Sequence, residues 1–513
     1  MKKITISLLF TLVLGYTHLL VAKDKLPNII VVLADDIGTG DISAYRRLHF
    51  DKVILETPNI DKLAEEGVMF TNAHSPAALC ATSRYSIMTG NYNYRSPFPW
   101  GVWSGYAKSA FTPDQLTLGR VMQQAGYHTG FIGKWHLGTD FAQKNNPNEV
   151  YVLRRGKKPN TEVDISKIKG GGPSQNGFDY NFTLPSGIQN EPYAAYENDV
   201  FFPLKEDSKV RFIDKEFMEK KGAVLDKKEG LGDSNWDPHV IGPLLASKAV
   251  EFIGKNSNQK KPFLMYYCAQ AVHTPHTPPT ELNGIKIAGT TPSAHMDMIK
   301  ELDVQISMMV AELKKQGIYE NTVFIFTSDN GGLHTDGDTW NSHHEPSSIF
   351  RGFKNSPYEG GHRVPMIVSW PKSIKGNWST EAPAIGTDIL ATIADIGNSE
   401  IKEGQALDSY SLLPVLKKEK QTTRKTYIIQ GGSAWEGMIT EDGWKLILQF
   451  DKKDKTNKTR IPVALFNLND NLREKDSGNY IDDPKYKDKL DYLVRQYNEL
   501  RDGGKPTGSA HLK

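Results

Sequence analysis

The sequence has almost no net charge, very little cysteine and only a moderate share of hydrophobic residues. Its 62 lysines and arginines against 60 aspartates and glutamates leave a formal net charge of +2. The protein therefore has no overall electrostatic field that would attract nucleic acid or an anionic membrane. Hydrophobic residues make up 38 % of the chain and the mean hydropathy is -0.47, which excludes a polytopic membrane protein. Aromatic residues at 10 % and the low net charge exclude a disordered chain. This composition is typical of a water-soluble globular protein.

The chain also lacks internal repeats, and its 513 residues are too many for one ordinary domain. A lysine-rich run at 417–420 separates two regions of different pattern. We therefore expect one large domain over residues 23–415 and a smaller C-terminal one over residues 421–513.

The N-terminus has the pattern of a secretory signal peptide over residues 1–22. A basic start precedes an apolar run that ends at the small residue Ala22, before the charges resume. A transmembrane anchor is the alternative, but Gly15 to His18 interrupt the run and leave it too short to span. No cysteine follows the run, which argues against a lipoprotein anchor. We expect a periplasmic or secreted protein without stable membrane insertion.

Short apolar runs alternate with amphipathic segments through most of the chain. Five runs are too short for helices and are typical of buried strands: 28–33, 129–132, 263–267, 323–326 and 364–369. Three amphipathic segments each end at a glycine of the kind that closes helices: 59–66, 116–125 and 296–315. The pattern predicts an α/β fold with a large mixed central sheet covered by helices.

Two regions depart from this alternation. From about residue 141 to 238 the periodicity weakens, and we expect long loops near the site or a peripheral insertion. The C-terminal region predicts a small α+β subdomain with an antiparallel sheet and a terminal helix. Its predicted elements are strands at 426–430, 444–450 and 463–468 and a helix at 487–501.

Polar residues follow four of the predicted strands, where ligands bind in open α/β sheets. They are Asp35-Asp36, Lys134 with His136, His273 with His276, and Asp329-Asn330. The first and last pairs supply only oxygen ligands, which suit calcium or magnesium and suit zinc poorly. For either pair alone, helix capping after a strand is the alternative. No EF-hand loop competes for the metal.

The segment from Cys80 to Gly90, CATSRYSIMTG, resembles the signature of the sulfatases. The resemblance extends through LADDIGTGD, GKWHLG, AVHTP, FTSDNGG and KNSPYEGGHRVP, in the family's order, from about residue 28 to 371. It implies an alkaline-phosphatase-like fold and a formylglycine-dependent enzyme, in which a maturation enzyme oxidises Cys80 and the hydrated aldehyde is the nucleophile. Thr82 stands where the family usually has proline, which puts the efficiency of this conversion in question.

The cysteines would ordinarily be expected to form a disulfide in an oxidising compartment. The resemblance argues against a bond between Cys80 and Cys268, because that bond would consume the precursor of the nucleophile.

The resemblance also implies a role for each residue at the site. One calcium ion would be held by the side chains of Asp35, Asp36, Asp329 and Asn330 and by the modified residue 80. Lys134 and Lys354 would contact sulfate oxygens, and Arg84 would fix residue 80 at the start of its helix. His136 would act as the base and His273 as the acid that protonates the leaving oxygen.

Some substrate contacts stay open. His276 also fits the family's histidine-x-proline element and is the alternative acid, although the spacing from the strand favours His273. Trp100 and Trp103, within an aromatic stretch that includes Phe98 and Tyr106, are candidates to stack on a sugar ring, with core packing as the alternative.

The resemblance leads us to expect a calcium-dependent sulfatase acting on sulfated carbohydrate or an aryl sulfate. The surroundings of Tyr85 and the stretch 95–103 are similar to bacterial members that act on 6-sulfated N-acetylhexosamines of glycosaminoglycans. Phosphodiester or phosphonate hydrolysis, as in the same superfamily, is one alternative, although a phosphate dianion usually calls for two metals. A non-catalytic binder of sulfated glycans, with Cys80 unconverted, is another.

Overall fold

The computed structural model describes residues 25–504 except 100, 154–155, 157–158, 336, 423, 433, 452 and 455–458. The signal peptide predicted over residues 1–22 lies outside this part of the chain. Among the described residues, no helix combines the length and the apolar character needed to cross a membrane.

The strands of the first half are β1 (Asn28–Ala34), β2 (Val68–Phe70), β3 (Ala73–His74), β4 (His128–Lys134), β5 (Asp140–Gln143), β6 (Asn146–Val150), β7 (Val163–Gly170), β8 (Tyr180–Leu184), β9 (Ala195–Glu197), β10 (Val200–Phe202), β11 (Val210–Ile213) and β12 (Gly230–Asp233). Those of the second half are β13 (Phe263–Cys268), β14 (Glu281–Leu282), β15 (Ile285–Lys286), β16 (Thr322–Ser328), β17 (Met366–Ser369), β18 (Trp378–Thr380), β19 (Ala384–Ile385), β20 (Thr426–Gln430), β21 (Trp435–Thr440), β22 (Trp444–Phe450) and β23 (Arg460–Asn467).

The helices are α1 (Ser43–Arg46), α2 (Pro58–Glu66), α3 (Cys80–Thr89), α4 (Leu118–Gln124), α5 (Lys215–Lys220), α6 (Ile241–Asn256), α7 (Ala294–Lys315), α8 (Gly337–Asn341), α9 (Glu359–His362), α10 (Asp388–Ile396), α11 (Leu413–Leu416) and α12 (Lys487–Asp502).

A mixed sheet of thirteen strands forms the centre, in the order β18-β2-β17-β16-β1-β13-β4-β8-β9-β10-β7-β5-β6. Strands β16, β1, β13, β4 and β8 run parallel to one another, so their carboxyl ends meet at one edge. β1 is buried on both faces. Its side chains alternate between two hydrophobic cores, with Ile29 and Val31 on the side of α3, α4 and α10 and Ile30 and Val32 on the side of α2, α6 and α7. The sheet is therefore covered by helices on both faces, as predicted.

The five predicted strands and three predicted helices of this region are present, with ends shifted by a few residues. Of the two alternatives for residues 141–238, long loops were wrong, because strands form much of this segment, and a peripheral insertion stays a prediction. This segment forms β5 to β12, and six of these strands extend the central sheet. Several have no alternation of apolar and polar residues; all five residues of β6, for instance, are exposed.

Residues 426–467 form a separate antiparallel sheet in the order β20-β21-β22-β23. The terminal helix α12 packs on it through Leu493 and Tyr497. The three predicted strands and the predicted helix are present, whereas β21 was not foreseen. This sheet is bonded to the segment that leads into α3, because the Ala78 N–H donates to the Gln430 carbonyl at 2.8 Å. The domain boundaries near residues 415 and 421 stay a prediction.

Candidate active site

The loops that follow three parallel strands are hydrogen-bonded to one another at the carboxyl edge of the sheet. The Asp35 N–H donates to the Ala271 carbonyl at 2.8 Å, and the Asp329 N–H donates to the Ala34 carbonyl at 3.1 Å. Asp36 and His136 have φ values of 65° and 58°, in the left-handed region that aspartate and histidine adopt more readily than most non-glycine residues. The structure thus brings together the polar segments that the sequence places after separate strands.

Asp35 and Asp329 are paired with buried cations on one side of this edge. Lys134 Nζ lies 2.5 Å from Asp35 Oδ2. Arg84 Nη2 lies 2.7 Å from Asp329 Oδ2 and 3.7 Å from Asp35 Oδ1. Arg84 also donates from Nη1 to the Lys134 carbonyl at 3.0 Å. Because all four side chains are buried, these charges act on one another with little solvent screening.

Asp36 organises the other side of the edge. Lys354 Nζ lies 2.6 Å from Asp36 Oδ1, and Asn330 Nδ2 donates to the same oxygen at 2.9 Å. His273 Nε2 lies 3.8 Å from Asp36 Oδ2. His273 Nδ1 lies 2.8 Å from the Thr274 carbonyl. Because a carbonyl can only accept, Nδ1 carries a proton, and Nε2 is the nitrogen that is able to exchange one.

Cys80 is the first residue of α3, and its Sγ lies 3.4 Å from His136 Nδ1. At a helix start the free backbone N–H groups add positive potential. Thr82, which replaces the usual proline, donates from Oγ1 to the Leu79 carbonyl at 2.6 Å and so fits within the first turn. Both cysteines are free thiols, which agrees with the expectation that Cys80 and Cys268 are not joined.

Burial and the clustered cations set the protonation of these groups. Burial lowers the pKa of His136 well below its usual value, and the charges of Lys134 and Arg84 lower it further. Burial, together with Lys354 and Lys134, lowers the pKa of His273 to about 3. Both imidazoles are therefore neutral near pH 7.

The carboxylate pKa values diverge in the same environment. Burial alone would raise the pKa of Asp36, but the charges of Lys354 and Lys134 outweigh it and lower that pKa. Burial raises the pKa of Asp329 to about 6, against the opposing charge of Arg84. Burial also raises the pKa of the Cys80 thiol, so the unmodified residue is a poor nucleophile.

The donor set fits a hard cation. Asp35, Asp36 and His273 each offer a ligand atom, all within 4.8 Å of one another. Asp35 Oδ1 and Asn330 Oδ1 are buried oxygens without a hydrogen-bond partner among the described residues. Unpaired buried oxygens are costly unless a cation or water satisfies them, and oxygen donors are those that calcium prefers.

His276 packs against a buried histidine. Its ring packs edge-on against that of His295, with 5.1 Å between the centroids. His295 and His344 were not singled out in the sequence, although both are buried beside it. His344 Nε2 lies 2.8 Å from Asp41 Oδ1. The contacts of His273 with Asp36 favour it over His276 as the residue nearer the charged centre.

Trp103 does not face a ligand. It is 4 % exposed and stacks on Tyr85, with 5.5 Å between centroids and 15° between planes. Tyr106, in the same stretch, is 3 % exposed. Of the two alternatives for Trp103, the structure therefore favours core packing, because the hydrophobic core covers its ring. Trp100 lies outside the described residues.

A second buried cluster combines His74, Glu359 and His362, whose ligand atoms also lie within 4.8 Å. Lys445 Nζ lies 2.9 Å from Glu359 Oε1, 3.0 Å from His362 Nε2 and 2.8 Å from Glu474 Oε1. The Lys445 ammonium thus lies where a bound metal ion would lie, and the cluster joins β3 and α9 to β22. The sequence gave no indication of this cluster, because its residues lie far apart along the chain.

Comparison with known proteins adds a family to this geometry. The sulfatase family profile matches residues 27–399. The chain belongs to the sulfatase family. This sulfatase is 31 % identical over 458 residues to an N-acetylgalactosamine-6-O-sulfatase of Bacteroides thetaiotaomicron, covering 82 % of each chain. It is 28 % identical to the steryl-sulfatase of Rattus norvegicus, covering 82 % of this chain and 76 % of the relative.

A solved structure connected with the metabolism of multiple glycosaminoglycans by Bacteroides thetaiotaomicron superposes with a TM-score of 0.77. It is 26 % identical and covers 93 % of this sulfatase and 100 % of that chain. The fold is therefore that of known sulfatase structures, and the protein is a sulfuric ester hydrolase.

Proposed function

We propose that this sulfatase hydrolyses sulfate monoesters of carbohydrate with a calcium ion and a formylglycine made from Cys80. The observation that carries the proposal is the position of Cys80 at the start of α3. There its Sγ is 3.4 Å from His136 and it shares one sheet edge with the oxygen cluster.

Asp35, Asp36, Asp329 and Asn330 would hold the calcium ion, which supplies positive charge and lowers the pKa of a bound hydroxyl. Formylglycine at position 80 supplies a hydrated aldehyde with two hydroxyls, one for attack on sulfur and one whose deprotonation releases sulfate. The formal positive charge around the site would be +5, from calcium, Lys134, Lys354 and Arg84, and the negative charge would be -3, from the three aspartates. The resulting +2 suits a monoanionic ester.

His136 is placed to remove a proton at residue 80. Its imidazole is neutral because burial lowers its pKa, so a ring nitrogen has a free lone pair. Nδ1 is the ring nitrogen that faces the side chain of residue 80. We assign His136 as the base on this geometry.

His273 is placed to protonate the leaving oxygen through Nε2, because its Nδ1 already donates to Thr274. The nearby lysines hold its pKa low. A bound sulfate ester adds negative charge beside the ring, which raises this pKa and favours the protonated acid. Lys134 and Lys354 would contact the sulfate oxygens, and Arg84 would keep the first turn of α3 in place through Asp329.

We propose a 6-sulfated N-acetylhexosamine of a glycosaminoglycan as the substrate, since the bacterial relative at 31 % identity is an N-acetylgalactosamine-6-O-sulfatase. The residues around the sulfate do not distinguish one sugar from another, so this assignment rests on the relative. We further propose a periplasmic or secreted location, on the signal-peptide pattern of residues 1–22. A formylglycine-generating enzyme would be the maturation partner.

The test is a panel of sulfated mono- and disaccharides that differ in sugar and in sulfate position, assayed for sulfate release. We expect turnover of the 6-sulfated N-acetylhexosamines by the matured protein and nearly none by the Cys80→Ala variant. Cys268→Ala is the matched control, since it removes the other buried thiol and should keep turnover. Hydrolysis of phosphodiesters in preference to every sulfate ester would contradict the proposal, and so would a Cys80→Ala protein of normal rate.

A further inference from the structure

Two exposed rings border the site beside Lys354 and have no role in the chemistry above. Phe353, the residue immediately before Lys354, is 42 % exposed. His334, which is also exposed, lies four residues after Asn330. The two rings meet edge to face, with 4.8 Å between centroids and 63° between planes. A half-exposed aromatic ring that packs on a second ring offers a ligand an apolar face and a polar edge.

The backbone holds this Phe353–His334 pair close to the charged centre. The Lys354 N–H donates to the Gly332 carbonyl at 2.9 Å, which ties together the two segments that carry the rings. The Ser356 N–H donates to the Phe353 carbonyl at 2.9 Å. Gly352, with φ of 83°, closes the turn where an added Cβ would lie 2.4 Å from Ser356 Oγ. The backbone that carries the two rings is therefore held beside Lys354, whose Nζ lies 2.6 Å from Asp36 Oδ1.

We propose that the Phe353–His334 pair is the surface on which the sugar ring of the sulfated substrate stacks. The apolar C–H face of a pyranose packs on an aromatic ring, and the polar edge of the imidazole suits its hydroxyls. Of the aromatic stretch considered for this task, Trp103 and Tyr106 are buried in the core, and Trp100 lies outside the described residues. The inference rests on the proposed carbohydrate substrate. It names residues that set the affinity of the enzyme for that substrate and take no part in hydrolysis of the sulfate ester.

The first experiment measures kcat and KM for a 6-sulfated N-acetylhexosamine with the variants Phe353→Ala, Phe353→Leu and Phe353→Tyr. We expect the alanine and leucine variants to raise KM about two- to tenfold with kcat retained, because stacking contributes equally to ground state and transition state. Tyrosine should restore the wild-type KM, since it keeps the ring. His334→Ala should raise KM in the same direction.

Tyr492→Ala is the control, because this ring is 50 % exposed on α12, in the C-terminal subdomain. It should leave both constants unchanged. An unchanged KM in Phe353→Ala would overturn the inference. A leucine variant equal to wild type would also overturn it, because apolar area alone would then suffice. A fall in kcat at constant KM would show instead that Phe353 only positions Lys354.

A second measurement separates this inference from the proposed function. Binding of the same sulfated sugar is titrated in the Cys80→Ala background, with and without Phe353→Ala. If the matured wild-type protein does not turn over this sugar, the proposed function fails. A two- to tenfold weaker Kd in the double variant than in Cys80→Ala still supports the stacking surface in that case. Absence of sugar binding to the Cys80→Ala protein, or an equal Kd in both proteins, would overturn the stacking surface.

Discussion

Glu301 gives the sharpest prediction about stability, because it is a fully buried carboxyl on α7 without a cationic partner among the described residues. Gln270 and Gln305 donate to its Oε1 at 3.1 and 3.0 Å, whereas Oε2 has no hydrogen-bond partner in the described part of the chain. Burial raises its pKa from 4.5 to about 8. Glu301 is therefore protonated in the folded protein at neutral pH.

The sign of its effect on stability follows from proton binding. Between pH 4.5 and 8 the folded protein holds a proton on Glu301 that the unfolded chain releases, so this group costs stability as pH rises. At about 1.4 kcal/mol per pKa unit, the cost grows by about 3 kcal/mol from pH 5 to pH 8. Glu301→Gln keeps the acceptor oxygen and removes the titration.

The assay is thermal unfolding of wild type and Glu301→Gln at pH 5 and at pH 8. An unfolding entropy of about 1 kcal/mol per kelvin for a chain of this length converts the 3 kcal/mol to about 3 °C. We expect the melting temperature of Glu301→Gln minus that of wild type to be about 3 °C larger at pH 8 than at pH 5. Glu312→Gln on the same helix is the control, since hydrogen bonds from Gln316 and Lys315 lower the pKa of Glu312 and no titration falls in this window. A difference between wild type and Glu301→Gln that does not change with pH would refute the reasoning.

Three further predictions concern the site and its support. Removing calcium with a chelator should abolish turnover and lower the melting temperature, because the buried oxygens of Asp35 and Asn330 lose the cation that would satisfy them; full activity in a verified metal-free sample would contradict the ligand assignment. His273→Ala should depress kcat/KM for a sugar sulfate far more than for a nitrophenyl sulfate, whose phenolate leaves readily, whereas His276→Ala should affect both alike; the reverse pattern would move the acid role to His276. Lys445→Met should destabilise the protein by about 3–5 kcal/mol in denaturant unfolding, because buried carboxylates lose their partner; an unchanged midpoint would show that the cluster does not depend on the ammonium.

The parts of the fold predicted from the sequence are those with a local signal. β13 and, after its first residue Asn28, β1 are apolar runs, and the polar residues that form the site follow such strands directly. Their convergence at one edge therefore follows from topology. β6 and β7 carry no such signal, because the first is exposed at every position and the second alternates only over its first half. The sheet therefore extends further than the sequence indicated.

Contacts between distant residues were beyond sequence reasoning for a different physical reason. Whether an aromatic residue packs inward or meets a ligand depends on its neighbours in space. The sequence alone therefore could not show that Trp103 is buried and Phe353 exposed. The pairing of Lys445 with Glu359 and Glu474 depends on how β22 docks. The distances around Lys354 likewise required the structure, although the family resemblance had already named the residue.

The central claim is that residue 80 acts as formylglycine rather than as cysteine. The direct test is mass spectrometry of the peptide containing Cys80, from preparations matured to different extents, each paired with its rate of sulfate release. The account predicts that the rate rises in proportion to the fraction of peptide in which oxygen has replaced sulfur. Full sulfate release from a preparation whose Cys80 thiol is intact would contradict it.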